Sequence, residues 1–91
     1  MRIRYTVPAL LELDSILDFI VTQNPQGAAR VHARIARVIE LSAAYPFVGS
    51  STDRPRIRRL VATPYPYLIF YEPSDEEIII HSIRHARRQP L

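Results

Sequence analysis

Arg84, His85, Arg87 and Arg88 stand almost side by side near the C-terminus and form the densest group of phosphate-binding and proton-transfer side chains in the chain. An imidazole set among guanidinium groups suits metal-free cleavage of RNA. The histidine can activate a 2′-hydroxyl, and the arginines can stabilise the extra charge of the phosphorane. The same residues also fit a plainer arrangement, in which His85 ends a strand and the arginines form a solvated face or pair with Asp75, Glu76 and Glu77. A second basic run comprises Arg54, Arg56, Arg58 and Arg59, and it converges with the first if the strands that carry the two are neighbours. Arg30, Arg34 and Arg37 recur at i, i+4 and i+7, which places three guanidinium groups on one face of a helix. That face suits an acidic partner or nucleic acid, or is simply solvated, with Arg37 and Glu40 as a weak local pair. Tyr65, Tyr67, Phe70 and Tyr71 offer rings for stacking on bases, and they equally suit the half-buried surface of a sheet.

Other chemistries are excluded by what the chain lacks. With no cysteine there is no disulfide, no thiolate metal site and no cysteine nucleophile. His32 and His81 have no ligand-spaced neighbours, and Gly27 and Gly49 are the only glycines, too few for a phosphate-cradling loop. The expectation is therefore a protein without metal or cofactor. No apolar run approaches the roughly 20 residues of a membrane span, and the N-terminal residues alternate arginine with apolar side chains instead of forming a leader. A cytoplasmic protein with no membrane partner is the default.

The elements that position these groups follow from periodicity. At 91 residues, with 47% hydrophobic and 23% charged, the sequence suits one small folded domain, residues 1–91, whose core is marginal. All twelve basic residues are arginine, for a net charge of +3. Arginine's rigid fork favours bidentate recognition of phosphate or carboxylate, although a biased coding composition produces the same preference. Arg2, Arg4 and Thr6 alternate with Ile3, Tyr5 and Val7, which reads as a strand ended by Pro8. Leu10, Leu13, Ile16, Leu17, Ile20 and Val21 then form the stripe of an amphipathic helix, with Glu12, Asp14 and Asp18 elsewhere on its circumference. Asn24-Pro25 opens a second helix with Ala28, Val31, Ile35, Val38, Ile39 and Ser42 inward, stopping near Tyr45-Pro46.

Residues 46–55 have turn composition and no periodicity, so they read as a loop. Strands are expected over 56–62, 66–72 and 77–85. In the last of these, strict alternation places Ile78, Ile80, Ser82 and Arg84 on one face and Ile79, His81, Ile83 and His85 on the other. The order β-α-α-β-β-β predicts an α+β fold, a helical hairpin packed on a mainly antiparallel four-stranded sheet.

The whole pattern resembles the RelE/ParE superfamily of bacterial type II toxin-antitoxin toxins, and more closely its ParE, or plasmid-stabilisation, branch. The resemblance rests on Val7-Pro8-Ala9 with Leu13 and Ile20, then Asn24-Pro25 with Ala28-Ala29, and Tyr45-Pro46-Phe47-Val48-Gly49. It continues through Arg58-Arg59-Leu60-Val61, Pro66-Tyr67-Leu68-Ile69-Phe70-Tyr71 and Ile83-Arg84-His85-Ala86-Arg87-Arg88. It implies a toxin neutralised by a cognate antitoxin whose C-terminal segment wraps it, and the Arg30, Arg34, Arg37 stripe is the surface expected to meet an acidic antitoxin arm.

RelE-like members cut mRNA on the ribosome and commonly carry an arginine after the first tyrosine of the Tyr-x-x-x-Tyr strand, where this chain has Leu68. They also use a C-terminal tyrosine or histidine, and no tyrosine follows Tyr71 here. ParE-like members inhibit DNA gyrase and share the His-x-Arg-Arg ending, matched by His85, Arg87 and Arg88. The resemblance thus implies a non-hydrolytic gyrase inhibitor, with Arg58, Arg59, Arg84, His85, Arg87 and Arg88 contacting the target. The alternative it leaves is a ribosome-dependent mRNA endoribonuclease with His85 as base and Arg58, Arg84 and Arg87 as phosphate clamps.

Overall fold

The computed structural model describes residues 1–88, and the side chain of Arg88 lies outside the described residues. Strand β1 (Arg2–Tyr5) leads directly into helix α1 (Val7–Val21), and helix α2 (Pro25–Ala44) follows. Strands β2 (Ser50–Ser51), β3 (Arg58–Val61), β4 (Tyr67–Pro73) and β5 (Glu77–His85) come next, and a single 3₁₀ turn, Ala86–Arg88, follows them. The sheet order is β1-β5-β4-β3-β2. Only the β1–β5 pair is parallel: the helical hairpin carries the chain from β1 to β2 at the opposite edge, and β2 to β5 return across the sheet as antiparallel neighbours.

The sheet therefore has five strands rather than the four expected. The additional one is β2, two residues inside the segment read as loop, and it pairs antiparallel with Arg58 and Arg59. A two-residue strand has no periodicity to detect, and it exists only through its partner.

Local capping sets both helices. Thr6 is the N-cap of α1: its hydroxyl oxygen accepts the Ala9 amide at 3.2 Å and donates to the Ile80 carbonyl at 3.1 Å. One side chain thus starts the helix and ties it to β5. Asn24 caps α2 by accepting the Gly27 amide at 2.9 Å, with Pro25 in the first turn, where its missing N–H costs nothing.

The buried face of α2 is the expected one: Ala28, Val31, Ile35, Val38, Ile39 and Ser42. In α1 the buried residues are Ala9 and Leu13, with Ile16, Leu17 and Ile20 packed against the core. Leu10 and Val21, expected inside, are exposed. That helix is apolar around most of its circumference, so its sequence admits more than one inward face, and the sheet selects one of them. Ile69 and Tyr71 of β4 and Ile78, Ile80 and Ile83 of β5 complete the core.

Strand β5 departs from strict alternation. Phe70 is opposite Ser82 whereas Tyr71 is opposite Ile80, so His81 is an unopposed extra residue. This β-bulge moves every later side chain to the other face. Ile83 and His85 consequently share the helix-facing side with Ile78 and Ile80, which corrects the assignment of faces made from period two alone.

Candidate functional site

The bulge, the end of β1 and the first helix together build a cleft. Strand β1 covers β5 only from Glu77 to Ile80, so the β5 backbone beyond it has an open edge. Glu12 of α1 fills part of this gap: its Oε1 accepts the Ile83 amide at 3.0 Å and the Ser82 hydroxyl at 3.0 Å. The Arg84 Nε in turn donates to Ser82 Oγ at 2.7 Å and lies 3.8 Å from Glu12 Oε2. A carboxylate thus substitutes for the missing strand and neutralises an adjacent guanidinium.

The resulting cleft, about 410 Å³, is lined by Glu12, Ile16, Phe19, Tyr67, Ile83 and His85, among others. Tyr67 and His85 meet edge to face with ring centroids 5.4 Å apart. The His85 Nδ1 accepts the Arg87 amide at 3.0 Å, so in the neutral ring the proton sits on Nε2. His85 is thereby arranged to donate a proton from Nε2 rather than to accept one there. Alongside the cleft, Val7, Leu11, Ser15 and Phe19 follow one another at i+4 on α1 and are all exposed, giving a mostly apolar row next to the opening.

The two basic runs do not meet. Arg84 is opposite Leu68, which is opposite Val61, whereas Arg58 is opposite Tyr71. Arg58 and Arg84 are therefore about 10 Å apart along the strands and about 10 Å across them, with β4 between. Arg58 is engaged locally, its Nε donating to the Gly49 carbonyl at 2.9 Å and its Nη2 to the Phe47 carbonyl at 3.2 Å. Arg59 is exposed on the other side of β3, and Arg87 is exposed just beyond β5. Arg88, the remaining member of the C-terminal run, has its side chain outside the described residues.

Arg30, Arg34 and Arg37 do share a face, where they line a shallow groove with Thr63, Pro64 and Tyr65 of the β3–β4 turn. Arg34 Nε donates to the Thr63 carbonyl at 2.6 Å, which anchors α2 to that turn. On the outer face of the sheet, His81 Nε2 and Glu72 Oε1 are 2.8 Å apart across the bulge. Among the described residues no group of three or more histidine, aspartate or glutamate side chains is placed to hold a metal ion. No described helix is long and apolar enough to cross a membrane.

The sequence left two features unmarked: Glu12 as the cap of the β5 edge and Ser82 as its relay to Arg84.

Comparison with known proteins identifies this architecture. Residues 3–90 match the family model described as the ParE toxin of the type II toxin-antitoxin system, parDE. The chain belongs to the ParE toxin family.

The toxin is 39% identical to Y4kP of Sinorhizobium fredii, which carries a toxin's name, over 88 residues that cover 97% of this chain and 91% of that one. It is 34% identical to Toxin RelE2 of Caulobacter vibrioides over 87 residues, covering 96% and 97% of the two chains. Its fold is that of a chain of the chromosomal ParDE system from P. aeruginosa, with a TM-score of 0.80, 24% identity and coverage of 93% and 95%. A YoeB/ParE toxin from Agrobacterium tumefaciens has the same fold at a TM-score of 0.63 and 16% identity, with coverage of 93% and 98%. The toxin-antitoxin family carries with it a cognate antitoxin as partner.

Proposed function

We propose that the protein is a cytoplasmic toxin that inhibits DNA gyrase as a protein ligand, without cleaving RNA, and that its antitoxin holds it silent. The observation that carries this reading is Leu68. Ribosome-dependent relatives commonly place an arginine there, and in this chain the position is a buried aliphatic side chain that can neither bind nor stabilise a phosphorane. The arrangement of the remaining candidates agrees. Arg58 is separated from Arg84 and His85 by β4, and the Nδ1 bond of His85 disfavours it as a base at Nε2.

Two surfaces suit the antitoxin. One is the groove of Arg30, Arg34 and Arg37, whose charge matches an acidic arm. The other is the cleft beside α1, where the apolar row of Val7, Leu11 and Phe19 suits the apolar face of a docking helix. A core this small gains from such a partner, because binding that favours the folded state adds to its stability.

The endoribonuclease reading keeps one supporting observation, that Glu12, Tyr67, Arg84 and His85 all line the cleft. Induction of the toxin alone separates the two. The gyrase reading expects growth arrest with chromosome breaks and no new mRNA 5′ ends. New 5′ ends that disappear in His85→Gln would establish the nuclease instead.

A further inference from the structure

The segment between α2 and β2 exposes more aromatic surface than packing explains. Tyr45 is 64% and Phe47 72% exposed, with Leu41 and Val48 exposed as well. Yet the loop is tied down. The Tyr71 hydroxyl accepts the Gly49 amide and donates to the Pro46 carbonyl, Arg58 donates to the Phe47 and Gly49 carbonyls, and the Val48 amide donates to the Tyr45 carbonyl at 2.9 Å. The Arg58 guanidinium also lies over the Phe47 ring, 5.3 Å from its centroid, which restrains the side chain itself. The ordering entropy that a flexible aromatic would lose on binding is thus already spent in the free protein.

The charge around this loop is one-sided. Arg58 bonds only to neutral carbonyls, and among the described residues no carboxylate pairs with it or with the exposed Arg54, Arg56 and Arg59. A rigid apolar projection beside unpaired positive charge is complementary to an apolar pocket with acidic residues at its rim. The loop precedes β2, and β4 and β3 separate that strand from β5 and the α1 cleft, so a partner in the cleft does not cover the loop.

We infer that the 45–49 loop is the element that enters the protein the toxin inhibits, with Phe47 seated in an apolar pocket of that enzyme and Arg58, assisted by Arg56, facing carboxylates at its rim. The inference rests on the reading that the toxin acts by binding a protein.

The test compares wild type with Phe47→Ala, each induced alone in cells and each purified with the cognate antitoxin. Because Phe47 is exposed, the variant is expected to melt as wild type does and to keep its antitoxin. It is expected not to arrest growth at an induction level where wild type does, and its half-inhibitory concentration against purified gyrase should rise roughly 30-fold, as for an aromatic hot spot truncated to alanine. Arg56→Glu should weaken inhibition in the same direction without altering the loop. Growth arrest by Phe47→Ala equal to wild type overturns the inference, as does loss of antitoxin binding. Binding of a short single-stranded oligonucleotide by wild type and not by Phe47→Ala would also overturn it, by making the loop a base-stacking platform. If wild type arrests growth while gyrase is untouched, the gyrase reading fails, and the growth phenotype of Phe47→Ala still decides the role of the loop.

Discussion

The phenolic oxygen of Tyr71, fully buried in β4, accepts the Gly49 amide at 2.9 Å and donates to the Pro46 carbonyl at 2.9 Å. One hydroxyl thus connects the centre of the sheet to the loop that follows α2. Tyr71→Phe leaves an amide and a carbonyl without their partner, for an expected loss of about 1–3 kcal/mol. Urea denaturation measures it, and a midpoint equal to wild type would contradict the assigned role.

Gly49 is required by space rather than by torsion, since no glycine in the described chain has positive φ. A Cβ there would lie 2.8 Å from the Arg59 carbonyl oxygen and 2.8 Å from both Cε1 and the hydroxyl of Tyr71. Gly49→Ala is expected to cost about 1–3 kcal/mol through overpacking. Combined with Tyr71→Phe it should cost less than the sum of the two, because both changes act on one contact. Strict additivity in the denaturation midpoints would argue against that coupling.

Glu12 makes a different kind of link, substituting for a strand at the β5 edge. Glu12→Ala removes the acceptor of the Ile83 amide and is expected to cost roughly 1–3 kcal/mol, whereas Glu12→Gln keeps an acceptor and should cost less. Hydrogen exchange at the Ile83 amide is the sensitive readout. It should accelerate in Glu12→Ala and remain close to wild type in Glu12→Gln.

The helical hairpin was legible because its information is local. The Asn24-Pro25 cap and the spacing from Ala28 to Ser42 lie within single helical turns, and the structure reproduces both. The bulge at His81 was not legible, since an extra residue is defined only against Phe70 and Tyr71 on the neighbouring strand. Missing it placed Ile83 and His85 on the wrong face. Glu12 was hidden for a related reason: nothing in α1 records that β1 stops pairing at Ile80 and leaves the Ile83 amide open. Arg58 could be read as a free charge in the sequence, but its hydrogen bonds to Gly49 and Phe47 depend on a chain reversal that composition does not reveal.

Arg4 and Glu77 join β1 to β5 through side-chain contacts of 3.1–3.2 Å. The hydrogen bond from Arg4 holds the Glu77 carboxyl below its ordinary value. A depressed carboxylate contributes stability that is fully present above the unfolded value, about 4.3, and is lost as the pH falls through the lower folded value. Both groups meet solvent, so the effect is small. Glu77→Gln should reduce the slope of the melting temperature against pH below about 4.3, where the folded carboxyl takes up its proton, and an unaltered slope there would show that the pair contributes nothing.

Titration of purified toxin, freed from its antitoxin, into a gyrase supercoiling reaction tests the central claim most directly. The account predicts dose-dependent loss of supercoiling with accumulation of cleaved DNA, reversed when the antitoxin is added back. Supercoiling that stays unchanged at toxin concentrations sufficient to arrest growth would contradict it.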